Sequence, residues 1–83
     1  MNRKQKVSVR QELGKLIASH RKLCGLTQKK LAELVGEQRD YIRQLERGAI
    51  KRPDVFVMQQ LARRFGVTVN HLLLKSLINS RNN

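Results

Sequence analysis

Acidic residues are scarce in this chain: six Asp and Glu stand against eighteen Lys and Arg over 83 residues, a formal charge of +12. That imbalance exceeds what solubility requires and repels itself within a small domain, so a polyanionic partner that relieves it is expected. Nucleic acid is the first candidate, because neutralising phosphates releases condensed counterions without any reading of sequence. Acidic lipid is a weaker candidate, and a basic surface with no partner is the bland alternative. Cysteine is nearly absent: Cys24 stands alone, which excludes an internal disulfide and fits a reducing cytoplasm. The basic opening MNRKQKVSVR is followed by no apolar stretch, so neither a secretory signal nor a membrane span is expected. Strand signals are missing as well, with no sustained alternation and no Asn-Gly or Asp-Gly turn. Catalytic equipment is equally thin. The chain has no phosphate-cradling glycine loop, no nucleophile paired with a base and no convincing acidic pair. A structural zinc takes four ligands, whereas only His20, Cys24 and His71 offer soft donors. The expectation is a binder rather than an enzyme, with no cofactor and no metal.

What is present is helical periodicity punctuated by glycine. Leu13, Leu16, Ile17, His20, Leu23 and Cys24 recur at spacings of three and four, predicting an amphipathic helix from Val9 to Cys24 that Gly25 ends. Thr27 caps a second helix, Gln28 to Val35, with Leu31, Leu34 and Val35 inward and Ala32 at a close helix approach. A third runs from about Gln38 to Arg47 between Gly36 and Gly48. Pro53 and Asp54 open a fourth, whose Val55, Met58, Leu61, Ala62 and Phe65 form the buried stripe. After Gly66, Thr68 caps a fifth that reaches about Leu77. The organisation read from this pattern is a flexible basic arm over residues 1–8, one all-α domain over 9–78, and a frayed tail over 79–83.

The second and third helices are the informative pair. A short turn centred on Gly36 forces a sharp crossing rather than an antiparallel hairpin, so Leu31, Ala32, Val35, Ile42 and Leu45 point into the angle between them. Here the chain resembles the lambda-repressor-like family of helix-turn-helix DNA-binding proteins, also called Cro/cI or Xre-type. The residues that carry the resemblance are LTQKKLAELVG (Leu26 to Gly36), IRQLERG (Ile42 to Gly48) and PDVFVMQQLARRFGVTVNHLL (Pro53 to Leu73). Glu37, where the family usually has an apolar residue, Gln38, where it has a small cap, and His20, where it prefers Leu, depart from the pattern. The resemblance implies a compact five-helix fold whose third helix enters the major groove of double-stranded DNA while the second crosses the backbone.

Carried over by position, the resemblance puts Arg39, Asp40 and Arg43 toward base edges, flanked by Gln38 and Gln44. Arg suits guanine O6 and N7, Asp accepts from cytosine N4, and Gln pairs with adenine. A solvated helix face, with Asp40 paired to Arg43 or Arg39, is the alternative. Lys29 and Lys30 oppose the dipole of the second helix, an arrangement that a phosphate at that helix end would reverse. Thr27 and Gln28 at the same end, together with Lys51 and Arg52 in the following loop, are expected on the DNA backbone. Arg3, Lys4 and Lys6 of the arm are candidates for a groove. Tyr41 either covers the core edge or reaches a phosphate with its hydroxyl. Phe56 and Val57 of the fourth helix and Leu74, Leu77 and Ile78 of the fifth exceed what one buried face can use, which predicts a homodimer interface. The implied function is a cytoplasmic, nucleoid-associated transcriptional regulator that represses from a two-fold operator. A DNA-binding antitoxin with a protein partner and a non-specific cationic nucleic-acid binder are the alternatives.

Overall fold

Five helices follow one another through residues 8–81, the part of the chain that the computed structural model describes: α1 (Val9–Leu23), α2 (Gln28–Val35), α3 (Arg39–Glu46), α4 (Val55–Phe65) and α5 (Val69–Arg81). No strand occurs among the described residues. The arm expected over residues 1–8 falls outside them except for Ser8. That residue caps α1 in a reciprocal box: its hydroxyl accepts from the Gln11 N–H at 3.2 Å, and the Gln11 side chain accepts from the Ser8 N–H at 3.1 Å. Thr27, Asp54 and Thr68 accept from the third residue onward at α2, α4 and α5, each satisfying a backbone donor that a helix start leaves orphaned. Gln38 precedes α3 without such a bond, and that helix runs Arg39–Glu46, one residue shorter at each end than expected.

The turn after α2 explains the crossing of α2 and α3. Gly36 takes φ +75°, its N–H donates to Glu33 O, and the Glu37 N–H donates back to Ala32 O at 2.8 Å. This paired closure needs a left-handed residue, which glycine adopts without the Cβ penalty. The same two-bond closure ends α1, α3 and α4 at Gly25, Gly48 and Gly66.

Leu13, Ile17, Leu31, Ala32, Val35, Ile42, Leu45, Val57, Met58, Leu61, Ala62 and Leu72 make one core. Several inward positions differ from the periodicity reading. Leu23 is 83% exposed and Cys24 is exposed, because the inward stripe of α1 runs Leu13, Ile17, Arg21 in steps of four and residue 23 lies about 200° round the helix from residue 21. In α4 it is Val57 that is buried, while Val55 is 68% exposed. Residues two apart cannot share a face, and Pro53 lies outside the helix that Asp54 caps. In α5 the buried stripe is Leu72, Ser76 and Ser80. The Ser76 hydroxyl donates to Leu72 O at 2.6 Å, so the small side chain is satisfied within its own helix. The helix continues through Arg81, taking residues 79–81 out of the expected frayed tail.

Two features lock α3 in place. Gly14 of α1 lies against the α3 backbone, where a Cβ would meet the Glu46 and Leu45 carbonyl oxygens, the latter at 2.6 Å. Glu46 itself accepts from the side edge of the Arg21 guanidinium, Nε at 2.6 Å and Nη2 at 3.1 Å, and from Gln28 Nε2 at 2.9 Å. Arg21 Nη1 donates in turn to Leu26 O at 2.8 Å. Only 12% of the Arg21 and 7% of the Glu46 side chain is exposed, so neither charge has water to fall back on.

Two stability predictions follow from these locks. Gly14→Ala gains about 1 kcal/mol of helix propensity but overpacks against a carbonyl that cannot rotate away, a cost at the upper end of roughly 1–3 kcal/mol. Net destabilisation by chemical denaturation is therefore expected. Glu46→Ala leaves Arg21 charged, buried and unpaired, and is expected to cost about 3 kcal/mol, read as a fall in the denaturation midpoint at unchanged slope.

Candidate nucleic-acid interface

Ile42 and Leu45 are buried, at 0% and 2% exposure, and they fix which side of α3 faces out. With about 100° per residue, the direction opposite them is shared by Asp40, Arg43, Gln44 and Arg47, with Arg39 beside them. Gln38, Arg39, Asp40 and Arg47 are exposed, and Arg43 and Gln44 are half-buried at the helix flank. All five residues expected at base edges thus lie at the start or on the outer side of one two-turn helix. Arg47 belongs with them but sits at the helix end, where the sequence reading placed only the stop before Gly48.

Charge on this face is organised rather than scattered. Arg43 Nε and Nη2 both donate to Asp40 Oδ1, at 3.2 and 2.6 Å. The hydrogen bonds from Arg43 hold the Asp40 carboxyl below the usual carboxylate range against an opposing desolvation, helped by the Arg43 charge, by a hydrogen bond from Gln44 and by the Arg39 charge. Glu37 is half-buried at the turn, and no ion pair joins it to Arg39 among the described residues.

The flanks come from three other segments. Thr27 is committed to its cap, accepting from the Lys30 N–H at 3.0 Å. Gln28 uses one of its two amide protons on Glu46, leaving the second available at the start of α2. Lys29 and Lys30 are exposed on the first turn of that helix; Lys30 keeps only a loose contact, 3.9 Å, with Glu33. Lys51 and Arg52 are exposed in the loop after α3. Tyr41 takes the first of its two expected uses, the core edge. Its ring packs on the core, and its oxygen accepts from the Asp54 N–H at 3.0 Å, so the phenolic proton remains free to donate. What the sequence did not reveal is the Arg21–Glu46–Gln28 network, because no periodicity links positions 25 residues apart.

The residues expected at a dimer interface divide. Val57 is 4% exposed and part of the core, which removes it from any outer face. Phe56 is 76% exposed, and Leu74, Leu77 and Ile78 are exposed together with Leu73. An apolar groove of about 510 Å³, lined by Val9, Leu13, Pro53, Val55, Met58 and Leu73 among others, opens between α1, α4 and α5. His20 stacks on Phe65, with ring centroids 5.1 Å apart, while Cys24 is exposed. No group of three His, Cys, Asp or Glu side chains suited to a metal occurs among the described residues, nor is any of their helices long and apolar enough to cross a membrane.

Comparison with known proteins agrees with this geometry. The profile of the helix-turn-helix family HTH_3 matches residues 17–72. Two crystal structures of the clp gene regulator ClgR from Corynebacterium glutamicum superpose with TM-scores of 0.79 and 0.75 at 25% and 26% identity, covering 92% and 87% of this chain and 80% and 91% of theirs. PlcR of Bacillus thuringiensis, solved with the peptide PapR7 and DNA, superposes with a TM-score of 0.68 at 31% identity over 75% of this chain and 21% of its own. No curated protein sequence shows a significant match. A sharp two-helix turn at Gly36, a locked third helix and the matched profile lead to one assignment: the chain belongs to the lambda-repressor-like helix-turn-helix family of DNA-binding proteins.

Proposed function

We propose that the protein is a sequence-specific double-stranded DNA-binding transcriptional regulator, a binder without enzymatic activity, that represses by occupying a two-fold operator as a homodimer in the cytoplasm. The observation that carries the reading is the outer face of α3. Arg39, Arg43 and Gln44 offer base-reading chemistry there, with Asp40 among them, and the cations of α2 and of the loop after α3 stand to either side. The charge of +12 alone would serve non-specific binding, but a network that fixes the tilt of one helix is what base readout requires. The comparison structures support the reading, since ClgR is described as a gene regulator and PlcR was crystallised on DNA.

Support for a dimer comes from α5. That helix buries Ser76 and Ser80 and turns Leu73, Leu74, Leu77 and Ile78 outward, the reverse of what a lone domain in water favours. A second copy covering this face would place two recognition helices to read half-sites about 34 Å apart. A protein partner on the same face, as in an antitoxin, is the second reading; the exposed Phe56 suits either occupant.

Two experiments test these statements. In binding to selected duplexes, Arg43→Ala is expected to relax preference at one base pair of each half-site by about 1–3 kcal/mol. Lys30→Ala is expected to weaken all sequences about equally and lower the salt slope by about one. Equal losses on every sequence for both variants would point to non-specific binding. Sedimentation is expected to give a dimer at micromolar concentration that Leu77→Glu dissociates; a monomer with and without DNA would rule the dimer out.

A further inference from the structure

The Asp40–Arg43 pair contributes little to folding. Its side chains are 66% and 43% exposed, and an exposed pair three apart on a helix gains little over hydration. Yet its geometry is specific: the two bonds from Arg43 leave from Nε and Nη2, the side edge of the guanidinium, and converge on one oxygen, Asp40 Oδ1. A guanidinium carries five N–H groups. With the side edge engaged, the end-on fork of Nη1 and the remaining Nη2 proton stays open, and that fork spans guanine O6 and N7.

Building on the regulator reading above, we infer that Asp40 reads no base and is instead a positioning residue that presents the end-on fork of Arg43 to a single guanine. Three observations support this division of roles. Asp40 Oδ1 is already occupied by two donors, so accepting from cytosine N4 through that oxygen would require Arg43 to let go. Asp40 precedes Arg43 by one turn on the outward face, so it braces the long side chain from the helix start, where base edges lie in this docking geometry. Finally, an arginine held before DNA arrives has less side-chain freedom to lose on binding. The negative charge also makes the pair selective. Where no guanine meets the fork, an acidic group stands near phosphates with nothing gained in return, which lowers affinity for wrong sites.

The test is a selection from random duplex DNA by the wild-type protein, followed by affinities of wild type, Asp40→Ala, Arg43→Ala and the double variant for the selected site and its single-base substitutions. Asp40→Ala and Arg43→Ala are expected to lose preference for guanine at the same base pair, by roughly tenfold or more. Asp40→Ala should also bind unrelated duplexes more tightly than wild type. Adding Asp40→Ala to Arg43→Ala should restore affinity on all sequences alike, without restoring the guanine preference. A loss at any other base pair on Asp40→Ala, in particular one where cytosine is selected, would mean that Asp40 reads directly and would overturn the inference. An unchanged guanine preference in Asp40→Ala would overturn it too. If the wild-type protein enriches no sequence at all, the sequence-specific reading fails first and takes this one with it. Enrichment by the wild type, with the variants misbehaving as described, refutes the positioning role alone.

Discussion

Everything outward on this domain depends on one inward carboxylate. Glu46 sits at the end of α3 and receives donors from α1, through Arg21, and from α2, through Gln28, while Arg21 also ties down the Leu26 carbonyl between those helices. A charge so removed from water tolerates no slack, since loosening any partner exposes a desolvation cost of several kcal/mol. The three helices are therefore set relative to one another within hydrogen-bond tolerance, which apolar contacts alone enforce less strictly. Gln28 has a double position in this arrangement. One amide proton belongs to the network and the other is available at the start of α2, where Lys29 and Lys30 stand, so the flank and the frame are joined at a single side chain.

The parts of the fold legible in the sequence are those with local causes. Capping by Thr27 and Thr68 and closure at the four left-handed glycines are decided within a few residues, and α2 spans Gln28–Val35 as its pattern indicates. Long-range causes were invisible. Arg21 reads as surface charge until its partner is known, although it takes the inward place that periodicity assigned to Leu23 and Cys24. The buried set of α4 is Val57, Met58, Leu61 and Ala62, so Val57, four residues before Leu61, takes the inner face and Val55 the outer one. In α5 the leucines outnumber the serines, and a hydrophobicity pattern follows the majority. Yet Ser76 can be buried beside Leu72 because its hydroxyl is satisfied by its own helix.

The outer face of α3 was easier to read than its frame, and for a simple reason. Once Ile42 and Leu45 are fixed inward, helical geometry alone distributes Asp40, Arg43, Gln44 and Arg47 over the opposite side. What geometry does not dictate is which of these side chains bind one another. The Asp40–Arg43 contact turns a row of independent charges into a coupled unit.

The contact at Gly14 has a broader consequence. Because the Gly14 contact of α1 with α3 is made to the carbonyls of Leu45 and Glu46, and the other tie runs through the inward Glu46 side chain, the seat of the helix is indifferent to most of what its outer face carries. Its inner side is a socket and its outer side an interchangeable key. Several outward residues can be exchanged as a set without disturbing the fit, so a new address can be written on the same lock.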